Sequence, residues 1–269
     1  MTEQPLPYAV NLSILFKEIP LLDRPAAAKA AGFDAVEFWW PFDTATPADA
    51  EVDAFVQAIE QAGVRLIGLN LFAGDMPAGE RGLVSWPGRE QEFADSVAVA
   101  VGIGRRSGCR GFNALYGNRI EGVDPGEQDE VALRNLGLAA RAIAEIDGTV
   151  LLEPVSGIAA YPLKTAADVI GVLDRVRAAQ GAANLGLLAD LYHLATNGDD
   201  LDKVIEHYGD RIAHVQIADA PGRHQPGTGE LDLFGYVDKI GAAGYRGHIA
   251  AEYIPSGASA DSFAWLPTR

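Results

Sequence analysis

The chain has 269 residues, with 37 acidic against 21 basic side chains and a formal net charge of −16. Hydrophobic residues make up 48% and charged residues 22%, which are ordinary globular values and exclude a disordered or low-complexity chain. The acidic excess repels nucleic acid and anionic membranes, so we expect neither as a partner. The single cysteine excludes an intrachain disulfide and a thiolate metal cluster.

The sequence offers no targeting or membrane-spanning segment to interpret. Residues 1–8 carry no positive charge and no apolar run of signal-peptide length. No apolar stretch approaches the roughly 18 residues that a membrane-spanning helix needs. Together with the single cysteine, this favours a cytoplasmic protein.

Helical stretches that end near a glycine recur along the chain. Glycine can adopt the left-handed conformation that closes a helix, and a short apolar run follows within a few residues each time. This order is typical of a helix that leads into a strand. The predicted helices cover residues 25–31, 48–61, 89–106, 128–145, 165–178, 201–208 and 233–243.

The apolar runs between these helices are short and are often apolar at consecutive positions. Residues 149–152, 185–189 and 212–215 are examples. Such runs are typical of parallel strands that are covered on both faces. Counting residues 9–13 as the first, about eight strands alternate with helices, as in a barrel of roughly 250 residues. A glycine-rich dinucleotide fingerprint and a Walker sequence are both absent, so we predict a parallel (β/α)8 barrel, with residues 1–269 as a single domain.

Polar side chains stand where the predicted strands end, and barrel enzymes place their chemistry there. Glu153, Asp190 and Glu252 each follow a nearly uncharged run, and a buried carboxylate is costly unless it is paired or binds a cation. Arginines at strand starts belong to the opposite end of the barrel, so no basic partner is evident in the sequence. The strand-end residues are Asn11, Glu37, Asn70, Asn113, Glu153, Asp190, Gln216 and Glu252.

The acids therefore predict a metal site. Oxygen ligands select hard cations, so we expect Mg²⁺ or Mn²⁺ as the cofactor. An alternative stays open for each acid, because a strand-end carboxylate also caps the following helix or pairs with a lysine. The predicted ligands come from successive strands: Glu153, Asp190, Gln216 and Glu252.

Several motifs resemble the hydroxypyruvate isomerase family of the xylose-isomerase-like TIM barrels. Residues 79–82 (Gly-Glu-Arg-Gly) and Gln216 together with residues 226–230 (Pro-Gly-Thr-Gly-Glu) are the narrower signals. The resemblance also rests on Glu153-Pro154, on residues 190–193 (Asp-Leu-Tyr-His) and on residues 214–219 (His-Val-Gln-Ile-Ala-Asp). Matching motifs near the amino terminus extend it over nearly the whole chain.

The resemblance implies roles for individual residues. Glu153, Asp190, Gln216 and Glu252 would hold the metal, and Glu153 and Glu252 would also exchange the substrate proton. A substrate oxygen would contact His193, and Glu37 would support the ligands by hydrogen bonding. A substrate carboxylate needs a cation, for which Arg223 and Arg81 are the candidates. The substrate-binding candidates are His193, Arg223, Arg81, Asn70 and Glu37.

The implied activity is a metal-dependent aldose–ketose isomerisation. The family resemblance favours the interconversion of hydroxypyruvate and 2-hydroxy-3-oxopropanoate through a cis-enediolate. A 2-oxo-tetronate isomerase, a ketose 3-epimerase and an inosose dehydratase stay open, because all begin with the same metal-stabilised chemistry. An apurinic endonuclease is disfavoured by five histidines and a charge of −16.

Two further expectations concern other side chains. His214 is expected to point away from the metal. Aromatic residues after the strands would wall a small pocket or form a contact in a homo-oligomer, and the two readings stay open. They are Trp39, Trp40, Phe72 and Trp86.

Overall fold

The structure, a computed structural model, describes residues 6–266, which form a closed barrel of eight parallel strands. Each strand pairs with the next, and β1 closes the barrel by pairing with β8. The strands are β1 (Tyr8–Asn11), β2 (Ala35–Phe38), β3 (Arg65–Asn70), β4 (Gly111–Asn113), β5 (Thr149–Leu152), β6 (Leu185–Asp190), β7 (Ile212–Ile217) and β8 (Ile249–Ala251).

Helices cover the outside of the barrel. They are α1 (Arg24–Ala30), α2 (Asp49–Ala62), α3 (Glu90–Ser107), α4 (Pro125–Ala144), α5 (Ala166–Gln180), α6 (Leu191–Thr196), α7 (Leu201–Tyr208) and α8 (Leu233–Ala242). The predicted fold class, a single-domain (β/α)8 barrel, is confirmed. Residues 1–5 and 267–269 of the predicted domain lie outside the described residues, as does part of the segment searched for a targeting signal.

Glycines close several helices as predicted. Gly63, Gly108 and Gly181 follow α2, α3 and α5 with φ of 65°, 79° and 66°, a region that a residue with a Cβ adopts at a cost. The predicted helices did not include α6, a helix of 6 residues that begins directly after β6. Within residues 6–266, the structure shows no helix with the length and apolar character for crossing a membrane.

The core lies mainly between the strands and the helices. A separate small cluster of Ala9, Ala35 and Ala250 comes from β1, β2 and β8. Each of these alanines precedes a strand-end polar residue by two positions, and residues two apart on a strand share a face. On these three strands, the inside of the barrel is therefore lined by alanine below and by polar side chains at its carboxyl end.

Two strand pairings shift register. Between β2 and β3 the shift falls at Val36 and Glu37, so that Glu37 pairs with Gly68. Between β6 and β7 it falls at Leu187 and Leu188, so that Leu188 pairs with His214. A bulge of this kind changes the direction of the side chains beside it.

Candidate active site

The four predicted metal ligands lie together at the carboxyl end of the barrel. Glu153, Asp190, Gln216 and Glu252 are between 0% and 6% exposed. Asp190 and Gln216 are direct partners in the pairing of β6 with β7. The Gln216 amide nitrogen donates to Glu252 Oε2 at 2.6 Å, and Glu153 and Asp190 each place an oxygen within 4.8 Å of a His193 nitrogen. These side chains form one site.

Arg223 lies among the acids, which corrects the expectation that they have no basic partner. Its Nη2 donates to Glu252 Oε1 at 2.6 Å and lies 3.6 Å from Asp190 Oδ2. The Arg223 guanidinium also stacks over Tyr192, with 5.4 Å between its Cζ and the ring centroid. Its Nε is buried without a hydrogen-bond partner, so this atom can donate to a ligand.

The loop that carries Arg223 is built around Asp219, which is fully buried. Asp219 Oδ1 accepts from the amides of Ala220 and Leu231, and Oδ2 accepts from the amide of Gly227. The Arg223 amide donates to the Asp219 carbonyl at 3.0 Å, and Arg223 has a φ of 58°, which is uncommon for a residue with a Cβ. The barrel therefore holds this arginine through a loop with many internal bonds.

Amides at the ends of other strands donate to the acids. Asn113 Nδ2 donates to Glu153 Oε1 at 2.7 Å. Asn11 Nδ2 donates to Glu252 Oε2 at 2.8 Å and to Glu37 Oε1 at 3.0 Å. Glu37 therefore lies beside the site, bonded to other side chains of the group.

His214 contacts this network, so the prediction that it points away is wrong. Its Nε2 lies 2.6 Å from Glu37 Oε2. Residues two apart on a strand share a face, so His214 follows Gln216 into the barrel. The spacing of two positions between His214 and Gln216 is visible in the sequence.

His193 has a fixed tautomer. The Ser156 amide donates to His193 Nδ1 at 3.1 Å, so this nitrogen carries a lone pair and no proton. Burial lowers the pKa of His193, which favours the neutral ring, and the remaining proton then sits on Nε2. This nitrogen lies 3.6 Å from Asp190 Oδ2 and is a donor to the site. No motif in the sequence pointed to Ser156.

Two of the acids hold protons more strongly than usual. Burial and the neighbouring Asp190 raise the pKa of Glu153 from 4.5 to about 8. Burial likewise raises the pKa of Glu252 well above its ordinary value, although Arg223 opposes the change. A carboxyl with a pKa near neutrality can both accept and return a proton at physiological pH.

Several buried oxygens in the site lack a hydrogen-bond partner. They are Asn113 Oδ1, Asp190 Oδ2 and Gln216 Oε1. The other oxygen of Asp190 caps α6 by accepting from the amides of Tyr192 and His193, so the capping alternative holds for that one oxygen. Unpaired buried oxygens are costly unless a ligand satisfies them.

These atoms fit a hard divalent cation. Four carboxylates, those of Glu37, Glu153, Asp190 and Glu252, are buried here, whereas the Arg223 guanidinium bonds to Glu252 and lies 3.6 Å from Asp190. A doubly charged ion would offset the excess negative charge, and oxygen ligands suit Mg²⁺ or Mn²⁺. Glu153, Asp190 and His193 also satisfy the spacing of a metal group.

Arg81 and Asn70, two other predicted substrate-binding residues, lie in different surroundings from Arg223. Arg81 Nη1 donates to the carbonyls of Met76 and Glu80, so these bonds tie it to its own loop. Asn70 ends β3 and is 7% exposed, in direct pairing with Asn113. Their predicted contacts with substrate stay predictions.

Two of the four predicted aromatic residues, Trp40 and Phe72, line a cavity, whereas Trp39 and Trp86 are not among its lining residues. It has a volume of about 410 Å³, and its walls include Trp40, Phe42, Phe72 and Met76. Arg89 also lines it and is held by Glu80 and Glu92. Its use as a substrate pocket or as a subunit contact stays a prediction.

Comparison with known proteins gives the family. Residues 25–269 match the model of the xylose isomerase-like TIM barrel family. A Streptomyces coelicolor protein provisionally named hydroxypyruvate isomerase is 53% identical over 97% of this chain and 95% of its own length. The Escherichia coli hydroxypyruvate isomerase is 34% identical, covering 97% of this chain and 98% of its own length.

Two further relatives cover nearly the whole chain. A 2-oxo-tetronate isomerase of Cupriavidus necator is 34% identical over 96% of each chain. A crystal structure from Brucella melitensis, titled AP endonuclease, family 2, superposes with a TM-score of 0.88 at 34% identity and covers 97% of each chain. The chain therefore belongs to the hydroxypyruvate isomerase family of the xylose isomerase-like TIM barrels, and it is an isomerase.

Proposed function

We propose that the chain is a divalent-metal-dependent isomerase that interconverts hydroxypyruvate and 2-hydroxy-3-oxopropanoate through a cis-enediolate. The observation that carries this proposal is the pair Glu153 and Glu252, two buried carboxyls with raised pKa values in a site with unpaired oxygens. Relatives named hydroxypyruvate isomerase support the same reaction.

These two glutamates are proposed to transfer the proton between C3 and C2 of the substrate. In the forward direction one carboxylate removes a proton from C3 of hydroxypyruvate, and a carboxyl of the pair returns a proton to C2. The hydroxyl proton on O3 leaves and O2 gains one, so the product is an isomer of the substrate. General acid–base catalysis of this kind typically contributes about 10²–10⁴-fold.

The metal ligands are proposed to be Glu153, Asp190, Gln216 and Glu252, with Mg²⁺ or Mn²⁺ as the ion. Gln216 Oε1 and Asp190 Oδ2 are the unpaired oxygens that support this set. A divalent cation bound by them would stabilise the negative charge that develops on the two substrate oxygens. Without this charge stabilisation, the substrate C–H group would be a much weaker acid, and a glutamate would deprotonate it more slowly.

Arg223 is proposed to bind the substrate carboxylate. Its unpaired Nε and its position beside Glu252 place a cation next to the proposed base. His193 is proposed to donate its Nε2 proton to a substrate oxygen, because Ser156 occupies Nδ1. These two donors would orient the substrate so that C2 and C3 face the glutamates.

Incubation with hydroxypyruvate and Mn²⁺ in D₂O, followed by NMR, tests the proposal. We expect conversion to 2-hydroxy-3-oxopropanoate with deuterium at C2 of the product. The same protein treated with EDTA serves as control and should be inactive. The absence of turnover with both Mn²⁺ and Mg²⁺ would contradict the proposal, and turnover of a free ketose alone would move the assignment to an epimerase.

A second candidate substrate is a 2-oxo-tetronate. The Cupriavidus necator relative of that name matches this chain at the same identity as the Escherichia coli hydroxypyruvate isomerase. Both substrates are 2-oxo acids with an adjacent hydroxyl group, so the residues named above suit either. The ratio of kcat/KM values for the two acids decides between them.

Other aspects stay proposals. The net charge of −16 supports a small-molecule substrate and argues against nucleic acid or an anionic membrane as partner. The single cysteine suits the reducing cytoplasm. A homo-oligomer is also proposed, and size-exclusion chromatography with light scattering tests it.

A further inference from the structure

Glu37 and Gln216 are exceptions to the pattern of the strand ends. Glu37 is the one carboxylate among the polar residues at the carboxyl ends of β1–β4, and Gln216 is the one amide among the predicted metal ligands. These two exceptions are bonded to each other, since Gln216 Nε2 donates to Glu37 Oε1 at 2.6 Å.

The orientation of the Gln216 amide matters for metal binding. The two ends of the amide have nearly the same shape, but only the oxygen can bind a hard cation. Gln216 Nε2 donates to Glu37 and Glu252, which turns Oε1 the other way. That oxygen is buried and has no hydrogen-bond partner. The acceptors on the nitrogen side therefore set which atom is offered to the metal.

Glu37 is the acceptor that neighbouring side chains hold in place beside the amide. Glu252 is shared with Arg223. By contrast, Glu37 Oε1 accepts from Asn11 and Gln216, and Glu37 Oε2 lies 2.6 Å from His214 Nε2. The bond to His214 prevents the Glu37 carboxylate from turning away from the amide.

The backbone is also adapted to this pair. The two register shifts of the barrel fall beside Glu37 and His214. A Cβ on Gly68 would lie 3.1 Å from both Cβ and Oε2 of Glu37, so glycine leaves the space that the Glu37 side chain uses. Three local features therefore favour the same contact.

We propose that Glu37, held by His214, is a positioning residue that turns the carbonyl oxygen of Gln216 toward the metal. This inference rests on the proposed function, because it requires a divalent metal in the site. Glu37 acts through Gln216 and does not need to touch the substrate. The sequence-based prediction gave Glu37 both a supporting hydrogen bond to the ligands and a place in the substrate-binding set, and the present proposal specifies which ligand atom it orients.

Titration of the resting protein with Mn²⁺, followed by electron paramagnetic resonance without substrate, tests the proposal. The variants are Glu37→Gln, Gln216→Glu and the double exchange Glu37→Gln with Gln216→Glu. We expect Glu37→Gln to weaken Mn²⁺ binding by about 10–100-fold, the usual effect of removing a partner of a metal ligand. Glu206→Gln, an exposed change of the same type on α7, should bind as the wild type does.

The double exchange is the decisive variant. It keeps the net charge, and the new amide at position 37 can donate to the new carboxylate at position 216. Because both ends of a carboxylate are oxygens, it can bind the metal in either orientation. We expect it to bind Mn²⁺ more tightly than Glu37→Gln alone. A merely structural role for Glu37 predicts lower thermal stability with unchanged Mn²⁺ affinity, and no recovery in the double variant.

Each outcome decides the inference. Wild-type affinity in Glu37→Gln, or no recovery in the double exchange, overturns it and leaves the proposed function intact. Failure of the wild type to bind Mn²⁺ overturns both. If circular dichroism shows that Glu37→Gln is unfolded, Gly68→Ala takes its place, because the added Cβ displaces Glu37 and should weaken Mn²⁺ binding in the same direction.

Discussion

The two halves of the barrel end in different chemistry. Strands β5–β8 lead into three carboxylates and one amide, whereas β1–β4 lead into three amides and one carboxylate. Asn113 of the first half donates to Glu153 of the second, and Asn11 donates to Glu252. In the proposed mechanism, the second half supplies the groups that exchange protons and bind a metal, and the first half supplies neutral donors that hold those groups. A site of this kind needs both, because unsupported carboxylates in a buried pocket would repel one another.

The largest effect is expected from the carboxylate half. Glu153→Gln and Glu252→Gln should each lower kcat by about 10²–10⁴-fold, because neither amide can accept the substrate proton. The measurement is the rate of hydroxypyruvate isomerisation at saturating Mn²⁺. Glu60→Gln, on an exposed face of α2, is the matched control. If either active-site variant has the kcat of the wild type, that glutamate does not transfer the substrate proton.

Arg223→Ala should raise KM for hydroxypyruvate by roughly 10–100-fold, since a hydrogen bond to a charged group contributes about 1.5–3 kcal/mol. Dihydroxyacetone has a hydroxymethyl group in place of the carboxylate, so the preference for hydroxypyruvate over it should shrink. Arg106→Ala removes an exposed ion pair with Asp53 and serves as control. An unchanged KM for hydroxypyruvate would show that Arg223 does not bind the carboxylate.

A change in the amide half should shift pH dependence and leave the proton-transfer groups in place. Asn113 lowers the pKa of Glu153 by donating to its carboxylate, so Asn113→Ala should raise that pKa further. The midpoint of Mn²⁺ binding against pH should then move up by about one unit. Gln57→Ala, an exposed amide on α2, is the control. An unchanged midpoint would show that Asn113 does not lower the pKa of Glu153.

The smallest effect is expected on the stability of the metal-free protein. Burial and Asp190 raise the pKa of Glu153 from 4.5 to about 8, so the folded state binds this proton more tightly than the unfolded chain does. The resulting stability is present below the unfolded pKa and is lost as pH rises through the folded pKa. With EDTA, the Tm of the wild type relative to Glu153→Gln should therefore fall over this range, by roughly 2–4 °C for each kcal/mol of stability that is lost. A constant difference in Tm would contradict the assignment.

Sequence reasoning predicted the architecture because the barrel repeats one simple unit. Glycines such as Gly63 and Gly108 close helices by a local backbone conformation, and the apolar runs show which segments are covered. The strand-end acids were visible for the same reason. Their convergence followed from the fold, since all parallel strands end at one side of the barrel.

What the sequence did not reveal depends on contacts between distant residues. Arg223 reaches Glu252 through a loop with a positive φ, and the Ser156 amide fixes His193 from 37 positions away. The register shift beside His214 likewise depends on how β6 and β7 meet. These features are set by tertiary packing and have no local signature.

The bonds that converge on Asp219 have a consequence for how this barrel can change its substrate. Its carboxylate and backbone tie together residues 219–231, so that stretch carries its own anchor within it. The same stretch is also bonded to the segment after β8, since the Ile254 amide donates to the Arg223 carbonyl and Gln225 Nε2 donates to Ser256 Oγ. We therefore expect a change in the chain length or charge of the accepted acid to involve these two segments together.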